Sequence, residues 1–415
     1  MKEKDDIISK IKLQITDDFN YFFKEISDMD HTNLSHACKM SEVLGRRFRD
    51  ELISIAETFV LRSYKDLYGK SENSNLENVE QRYSWFSREM REFNKKFSLA
   101  FPNYWGVLTF IAHEFCGVTR VHMMNILDKS GSQMDVKNLL NALRATIKFE
   151  NKLYEDLRKE YQQYIDRPDT NAHRKNTAIE SGTDVVQSLD EDDEKALEEQ
   201  YRISQIPKIK GSISSCFEMH MKPYVDTEKS ELQDGILKEL AGDFQDPEKN
   251  CLQSEDLPIL NSSLIMFTKI KHLLNRASTL SRTQTMYDVY TVIKSNITLY
   301  LNSLNEKVLK DDRNSKKDEI KFFREVCILL NTVDYIKETL QSVQDSLSNL
   351  LDEPFNETID FKNEEDLCVI FFVFAKSLGS TSKWICDYNQ KHIGQQTKYS
   401  LYSANYEVAA GQNGR

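Results

Sequence analysis

Gly69-Lys70-Ser71 has the residues that close a phosphate-binding loop. Such a loop cradles phosphate on backbone N–H groups, so it needs a glycine at position 64 and a strand before it. Position 64 is Tyr64, and the preceding residues read as helix. His113-Glu114 opens like the zinc-binding pattern H-E-x-x-H, but Gly117 stands where the second ligand is required. No glutamate lies three residues before any of the eight histidines, so the E-x-x-H pairs of di-iron bundles are absent. Asp28-Met29-Asp30-His31 reads as a helix cap and loop. His36 and Cys38, two apart, point to different faces of a helix. Tyr83, Trp85 and Trp105 have the chemistry of a peptide pocket, yet their spacing beside Phe86, Phe93 and Phe97 reads as core. Trp85 is the exception. It sits off the inward face and is expected to pack on a neighbouring helix or a partner. The reading is of a chain that is not an enzyme, with no catalytic residues, no cofactor and no metal site.

The elements around these residues are helical almost throughout. The 415 residues include only 13 Gly and 7 Pro, against typical usage of about 7% and about 5%. Few breakers favour long helices over a turn-rich all-β fold. Ile8, Ile11, Ile15, Phe19, Phe22 and Ile26 step by threes and fours, one face of a helix. Leu44, Phe48, Leu52, Ile55 and Phe59 do the same, with Gly69 as a stop. Leu76, Val79, Tyr83, Phe86, Met90, Phe93 and Phe97 alternate strictly, as in a long bundle helix. Pro102 predicts a new helix running to about Leu127, since proline is tolerated in a first turn. Further helices are predicted over about 135–164, 211–241, 259–278, 283–309, 319–351 and 364–389, with no strand series.

Charge and cysteine usage narrow the function. A net charge of −11 repels phosphate, which argues against nucleic acid as a partner. Two basic clusters, Arg46, Arg47 and Arg49, and Arg88, Arg91, Lys95 and Lys96, read as solvated helix faces. The seven cysteines are scattered and without a C-x-x-C pair, which fits a reducing compartment. Residues Leu367 to Ala375 form the most apolar run, far short of the ~18 residues a membrane span needs, and read as a buried helix core. From about Arg167 to Gln200 the chain is polar and acidic, with Asp190-Glu191-Asp192-Asp193-Glu194 towards its end. It reads as a disordered linker. The expected organisation is a helical bundle over 1–165, the acidic linker over 166–205, a second bundle over 206–393 and a flexible tail over 394–415.

Several strings stand in order along the chain. Arg82-Tyr83-Ser84-Trp85-Phe86 and Phe101-Pro102 with Trp105 resemble R-Y-x-W-F/L and F-P-x-x-W of the vacuolar protein sorting-associated protein 53 family. Phe115-Cys116 with Val118-Thr119-Arg120 is similar to F-C-x-V-T-R/K, and Leu139-Leu140, Ala142, Thr146 and Phe149-Glu150 to the next helix. Ile213-Ser214-Ser215-Cys216-Phe217-Glu218 through Tyr224 resembles I-S-x-C-F-E-P-H-L-x-x-Y. Thr332, Tyr335, Thr339 and Leu347 resemble a later helix. The match runs from about residue 14 to about residue 350. Met219 stands at the family's proline, which predicts a straighter entry to Tyr224. The family also has an N-terminal coiled-coil portion and a further C-terminal helical region, and the chain is expected to start after the first and stop inside or before the second.

The resemblance implies an all-α fold, an elongated rod of stacked antiparallel helical bundles. It implies a subunit of the Golgi-associated retrograde protein and endosome-associated recycling complexes, which tether vesicles for endosome-to-trans-Golgi transport. Its partners would be other tethering-complex subunits, with SNAREs and small GTPases as further candidates. Its place would be cytoplasmic, peripheral on trans-Golgi network and endosome membranes. The alternative is another helical-rod scaffold, such as an exocyst or conserved oligomeric Golgi subunit.

Overall fold

Periodic apolar residues become helices throughout the computed structural model, which describes residues 2–24, 31–69, 75–98, 100–102, 105–131, 135–160, 162, 205–253, 258–314 and 319–380. The acidic run and everything after residue 380 lie outside them. The chain divides into two units, Met1–His220 and Met221–Arg415.

The first unit holds α1 (Lys2–Lys24), α2 (His31–Val43), α3 (Arg46–Tyr68), α4 (Val79–Phe97), α5 (Val107–Ser130) and α6 (Val136–Glu160). α3 packs on α5, α4 on α6, and α1 on α2 and α3. Phe19, Phe22 and Phe23 on the buried stripe of α1 meet Phe101, Phe97 and Phe59, with Phe23 stacked on Phe59 at 4.8 Å. Gly69 ends α3, as its position predicts, its N–H bonded to the Lys65 carbonyl. The helix expected from Pro102 starts only at Val107. Gly106 takes the left-handed conformation at φ 61° and breaks the chain direction first. Likewise the first turn expected of α4, Leu76–Asn78, is a 3₁₀ turn capped by the Asn75 side chain, which accepts from the Asn78 N–H.

The single helix expected over 211–241 is two structures. Ile206–Ile209 and Ser214–His220 are 3₁₀ segments, and α7 runs from Lys222 to Asp243 with a proline in its first turn. Gly211, at φ +80°, reverses the chain between the two 3₁₀ segments. The straighter entry predicted from Met219 is therefore not found: Met219 lies in the 3₁₀ turn and is exposed. Residues 206–220 pack on α5 and α6 of the first unit, although the sequence pattern placed them in the second bundle.

The second unit continues from α7 through a one-turn helix α8 (Pro247–Asn250), α9 (Asn261–Ser278), α10 (Gln284–Asn314), α11 (Glu319–Leu350) and α12 (Lys362–Ser380). A two-stranded antiparallel ribbon, β1 (Cys251–Gln253) and β2 (Pro258–Leu260), pairs Cys251 with Leu260. Three residues per strand are too few for an alternating pattern to show in sequence. Met286, Val289, Ile293, Ile297, Tyr300 and Leu304 on α10 are fully buried at the centre of this unit. α12 packs on α10 and α11 through Glu364, Cys368, Phe371 and Ala375. Its other face corrects the expectation of a wholly buried Leu367–Ala375 run: Val369, Ile370 and Val373 are 46%, 57% and 63% exposed. The described residues are thus all-α apart from the ribbon.

Candidate functional site

The residues with chemical potential are held in structural roles. His113 Nε2 donates to the Gln205 carbonyl at 3.0 Å, and burial lowers its pKa. Glu114 pairs with Lys65 at 2.9 Å. Burial pushes the thiols of Cys38, Cys116, Cys216, Cys327 and Cys368 up to about 12, where the nucleophilic thiolate is scarce. Among the described residues no three His, Cys, Asp or Glu side chains gather to hold a metal. Lys70 and Ser71, and Asp28 to Asp30, lie outside the described residues. Arg46 and Arg47 form i,i+4 pairs with Asp50 and Glu51 on an exposed face, whereas Arg49 is buried. Tyr83, Trp85 and Trp105 are all buried, so no peptide pocket forms from them. Trp85 packs on Tyr64 of α3 at 5.4 Å, the neighbouring-helix alternative rather than the partner one.

Glu57 is a carboxylate whose setting predicts a pH effect. Burial, and then the nearby Glu114 charge, raise its pKa to about 7, against the opposing pull of Lys65. The folded state therefore holds this proton between pH 4.5 and 7 while the unfolded state loses it, and stability falls as pH rises through that window. Glu57→Gln is expected to melt higher than the native chain at pH 8, and the gap should close below pH 4.5.

The strings that mark the sequence converge on two latches. The first lies where α4, α5 and α6 meet. Phe86 stacks on Phe115 at 3.8 Å, and Tyr83 on Phe149 at 4.2 Å. The Tyr83 hydroxyl meets Thr146 Oγ1 at 2.7 Å, and the Tyr64 hydroxyl meets Thr119 Oγ1 at 2.8 Å. The guanidinium of Arg82, fully buried, lies 3.5 Å from the Tyr64 hydroxyl and over the Tyr68 ring.

Beside this cluster, Glu150 points into the returning 205–220 strap. Its carboxylate accepts from the backbone N–H of Gly211 at 3.0 Å, Ile213 at 2.6 Å and Ser214 at 2.9 Å, and from the Ser214 hydroxyl at 2.7 Å. Arg120 clamps the same strap from α5, donating to the Ser212 carbonyl at 3.0 Å and to Ser215 Oγ. The strap's turn presents N–H groups that no helix satisfies, and a buried carboxylate satisfies them at short, charge-assisted distances. Sequence reasoning matched Glu150 as a family letter and missed its role. The available signal was a glutamate inside the buried stripe Leu139, Leu143, Thr146, Leu153 and Leu157.

The second latch is in the other unit. Thr332 Oγ1 accepts from the Leu260 N–H at 2.9 Å and donates to the Ile328 carbonyl at 2.8 Å. Asn331 Nδ2 donates to the Pro258 carbonyl at 3.1 Å, and Tyr335 packs edge-on to Phe267 at 5.7 Å. Thr332 and Asn331 thus pin β2 to α11, and Tyr335 joins α11 to α9. Thr332→Val keeps the shape but orphans the buried Leu260 N–H, which is expected to cost about 1–3 kcal/mol in urea unfolding.

Both latches thus use the recurring strings to hold the chain to itself. Comparison with known proteins agrees with the strings. The family model described as "Vps53, N-terminal" matches residues 2–243. Vacuolar protein sorting-associated protein 53 A of Arabidopsis thaliana is 26% identical over 365 residues, covering 80% of this chain and 43% of the relative. Vacuolar protein sorting-associated protein 53 of Saccharomyces cerevisiae is 21% identical over 358 residues, covering 83% of this chain and 37% of the relative. The chain therefore spans less than half the length of these relatives. With the family model covering more than half of its residues, and including every string of the first latch, the chain belongs to the Vps53 family.

Proposed function

We propose that the chain is a subunit of a multisubunit vesicle-tethering complex acting in endosome-to-trans-Golgi retrograde transport and endosomal recycling. The observation that carries this is the family match, which takes in the whole Glu150 latch and continues through relatives aligned over most of the chain. The mechanism is geometric and needs no covalent step, so the protein is read as a scaffold and not an enzyme. Helices of 23 to 32 residues, such as α1, α3, α10 and α11, supply stiff lengths. At 1.5 Å per residue the longest spans about 48 Å. The rod arrangement is part of the same proposal.

Partner helices from other subunits would gain area on apolar faces such as Val369, Ile370 and Val373 of α12. SNAREs and small GTPases are proposed as further partners. Among the described residues no helix is long and apolar enough to cross a membrane. The proposed location is cytoplasmic, peripheral on trans-Golgi network and endosome membranes through partners. Affinity purification of the tagged chain from its own cells, with mass spectrometry, tests the reading. The other retrograde-complex subunits should come with it. Recovery of exocyst or conserved oligomeric Golgi subunits instead, or of soluble chain alone, would overturn it.

A further inference from the structure

Of the basic cluster on α4, read from sequence as a plain solvated face, Arg91 borders a groove. The groove measures about 490 Å³ and runs between α4 and α6 over the start of α5. Phe86, Met90, Leu108 and Leu153 line it, and Arg91, Lys152 and Lys159 stand on its rim. Asp156 and Glu160 are the acids on that rim, both towards the end of α6. A smaller hollow shares Asn94, Leu108 and Glu160 with it and extends the channel to Phe97 and Phe101. The groove is thus apolar inside, with cations prevailing at its edge and a length along α4, Phe86 to Phe97, of about three helical turns.

The chain's own sequence supplies a guest of matching chemistry. Between Glu160 and Gln205 lies the run Asp190-Glu191-Asp192-Asp193-Glu194, followed by Glu198 and Glu199. Val185, Val186 and Leu189 precede the run, and Leu197 and Tyr201 follow its start. One end of this excursion lines the groove, and the other is held on α5 of the same unit. Glu160 is itself a lining residue. The Gln205 carbonyl is bonded to His113, on α5 little more than one turn beyond Leu108. The Glu150 and Arg120 clamps then hold the returning strap on the same unit. Attachment at both ends raises the local concentration of the acidic run to the millimolar range, so even a weak seat would be filled.

We propose that the α4–α6 groove is the docking seat of the chain's own acidic segment, residues 184–201, with its acids on Arg91, Lys152 and Lys159 and its flanking apolar residues on the floor. The acidic segment is then an internal ligand of the first unit, and not a spacer between two bundles. The inference stands apart from the tethering reading, since it concerns one chain alone.

Zero-length carbodiimide cross-linking of the full chain tests it, because this reagent joins carboxylates only to amines already in contact. Mapped by mass spectrometry, links from Asp190–Glu194 should fall on Lys152 and Lys159 at least fivefold more often than on Lys10, Lys12 or Lys39. Arg91→Glu, or 0.5 M salt, should cut the Lys159 links at least threefold, since the attraction is screened. An equal mixture of ¹⁴N and ¹⁵N chains should show links within one isotope only. Links spread evenly over the control lysines would overturn the proposal, as would light–heavy links of a second copy. As an independent measure, a labelled peptide of residues 184–201 should bind a chain whose residues 166–202 are replaced by a glycine-serine linker. The Kd should lie below about 1 mM, the range that attachment at both ends makes sufficient. No binding by a replaced chain that still unfolds cooperatively would equally overturn it.

Discussion

Glu150→Ala is expected to free the strap over 205–220 from the first unit and to lower stability by about 3 kcal/mol or more. The size follows from what the carboxylate does. It accepts from three backbone N–H groups and the Ser214 hydroxyl while itself only 2% exposed. Alanine leaves those donors without an acceptor, and each buried orphan costs about 1–3 kcal/mol. Water reaching the half-buried Gly211 and Ser214 recovers part of that, and the buried Ile213 N–H recovers least. Glu150→Gln keeps one acceptor oxygen and turns an amide N–H₂ towards the donors, so its loss should be smaller and still measurable. Urea unfolding gives the magnitudes, and hydrogen exchange gives the place. Amides of residues 211–216 should lose protection in Glu150→Ala while those of α3 keep theirs. Unchanged exchange in the strap would show that Arg120 and the apolar contacts of Ile209, Ile213 and Phe217 hold it alone.

Phe86→Ala should destabilise the first unit by about 3–5 kcal/mol, the usual range for deleting a buried ring. Phe86 is fully buried, stacks on Phe115 of α5 at 3.8 Å and lies edge-on to Phe149 of α6 at 6.1 Å. One ring from α4 therefore keys two other helices. Alanine removes both contacts and opens a cavity at their junction. Phe86→Leu restores much of the volume but not the stacked geometry, which is worth roughly 0.5–1.5 kcal/mol, and should fall between. The two variants should also couple. Phe149 and Glu150 are neighbours on α6, so a shift of α6 towards the cavity disturbs the carboxylate. In a double-mutant cycle with Glu150→Gln the losses should depart from additivity by more than 0.5 kcal/mol. A strictly additive cycle would separate the aromatic cluster from the strap latch.

These two residues show how far a linear reading reaches. Phe86 was legible: its place in the strict Leu76-to-Phe97 alternation makes it core, and it is. Glu150 was visible as a letter in a string but not as an acceptor, because its donors lie more than sixty residues away across the acidic insertion. Helix existence was read well for the same reason that the ends were read poorly. An i, i+3, i+4 stripe is summed over many residues, whereas a start or stop turns on one backbone conformation. Gly106 and Gly211 take positive φ, and the helices expected across them begin later for that reason. Trp85 sits off the inward face of α4 by spacing, which left a neighbouring helix or a partner open, and only the fold shows that α3 is the neighbour that covers it. Leu367–Ala375 looked buried by composition, yet α10 and α11 reach only one side of α12, and Val369, Ile370 and Val373 stay exposed.

By itself the sequence determined that the chain is helical, since few breakers and long apolar stripes allow little else. Its ordered strings also determined the family, because they need no geometry to be recognised. Only the tertiary structure decided what those strings are for. A carboxylate, a guanidinium and a threonine hydroxyl acquire their roles from donors and acceptors brought near by the fold. Hydrogen bonds reach about 3 Å through space whatever the separation along the chain. The same holds for the return of residues 206–220 to the first unit. Composition marks the acidic run as a break, but the contacts of the strap with Glu150 and Arg120 decide to which body the chain comes back.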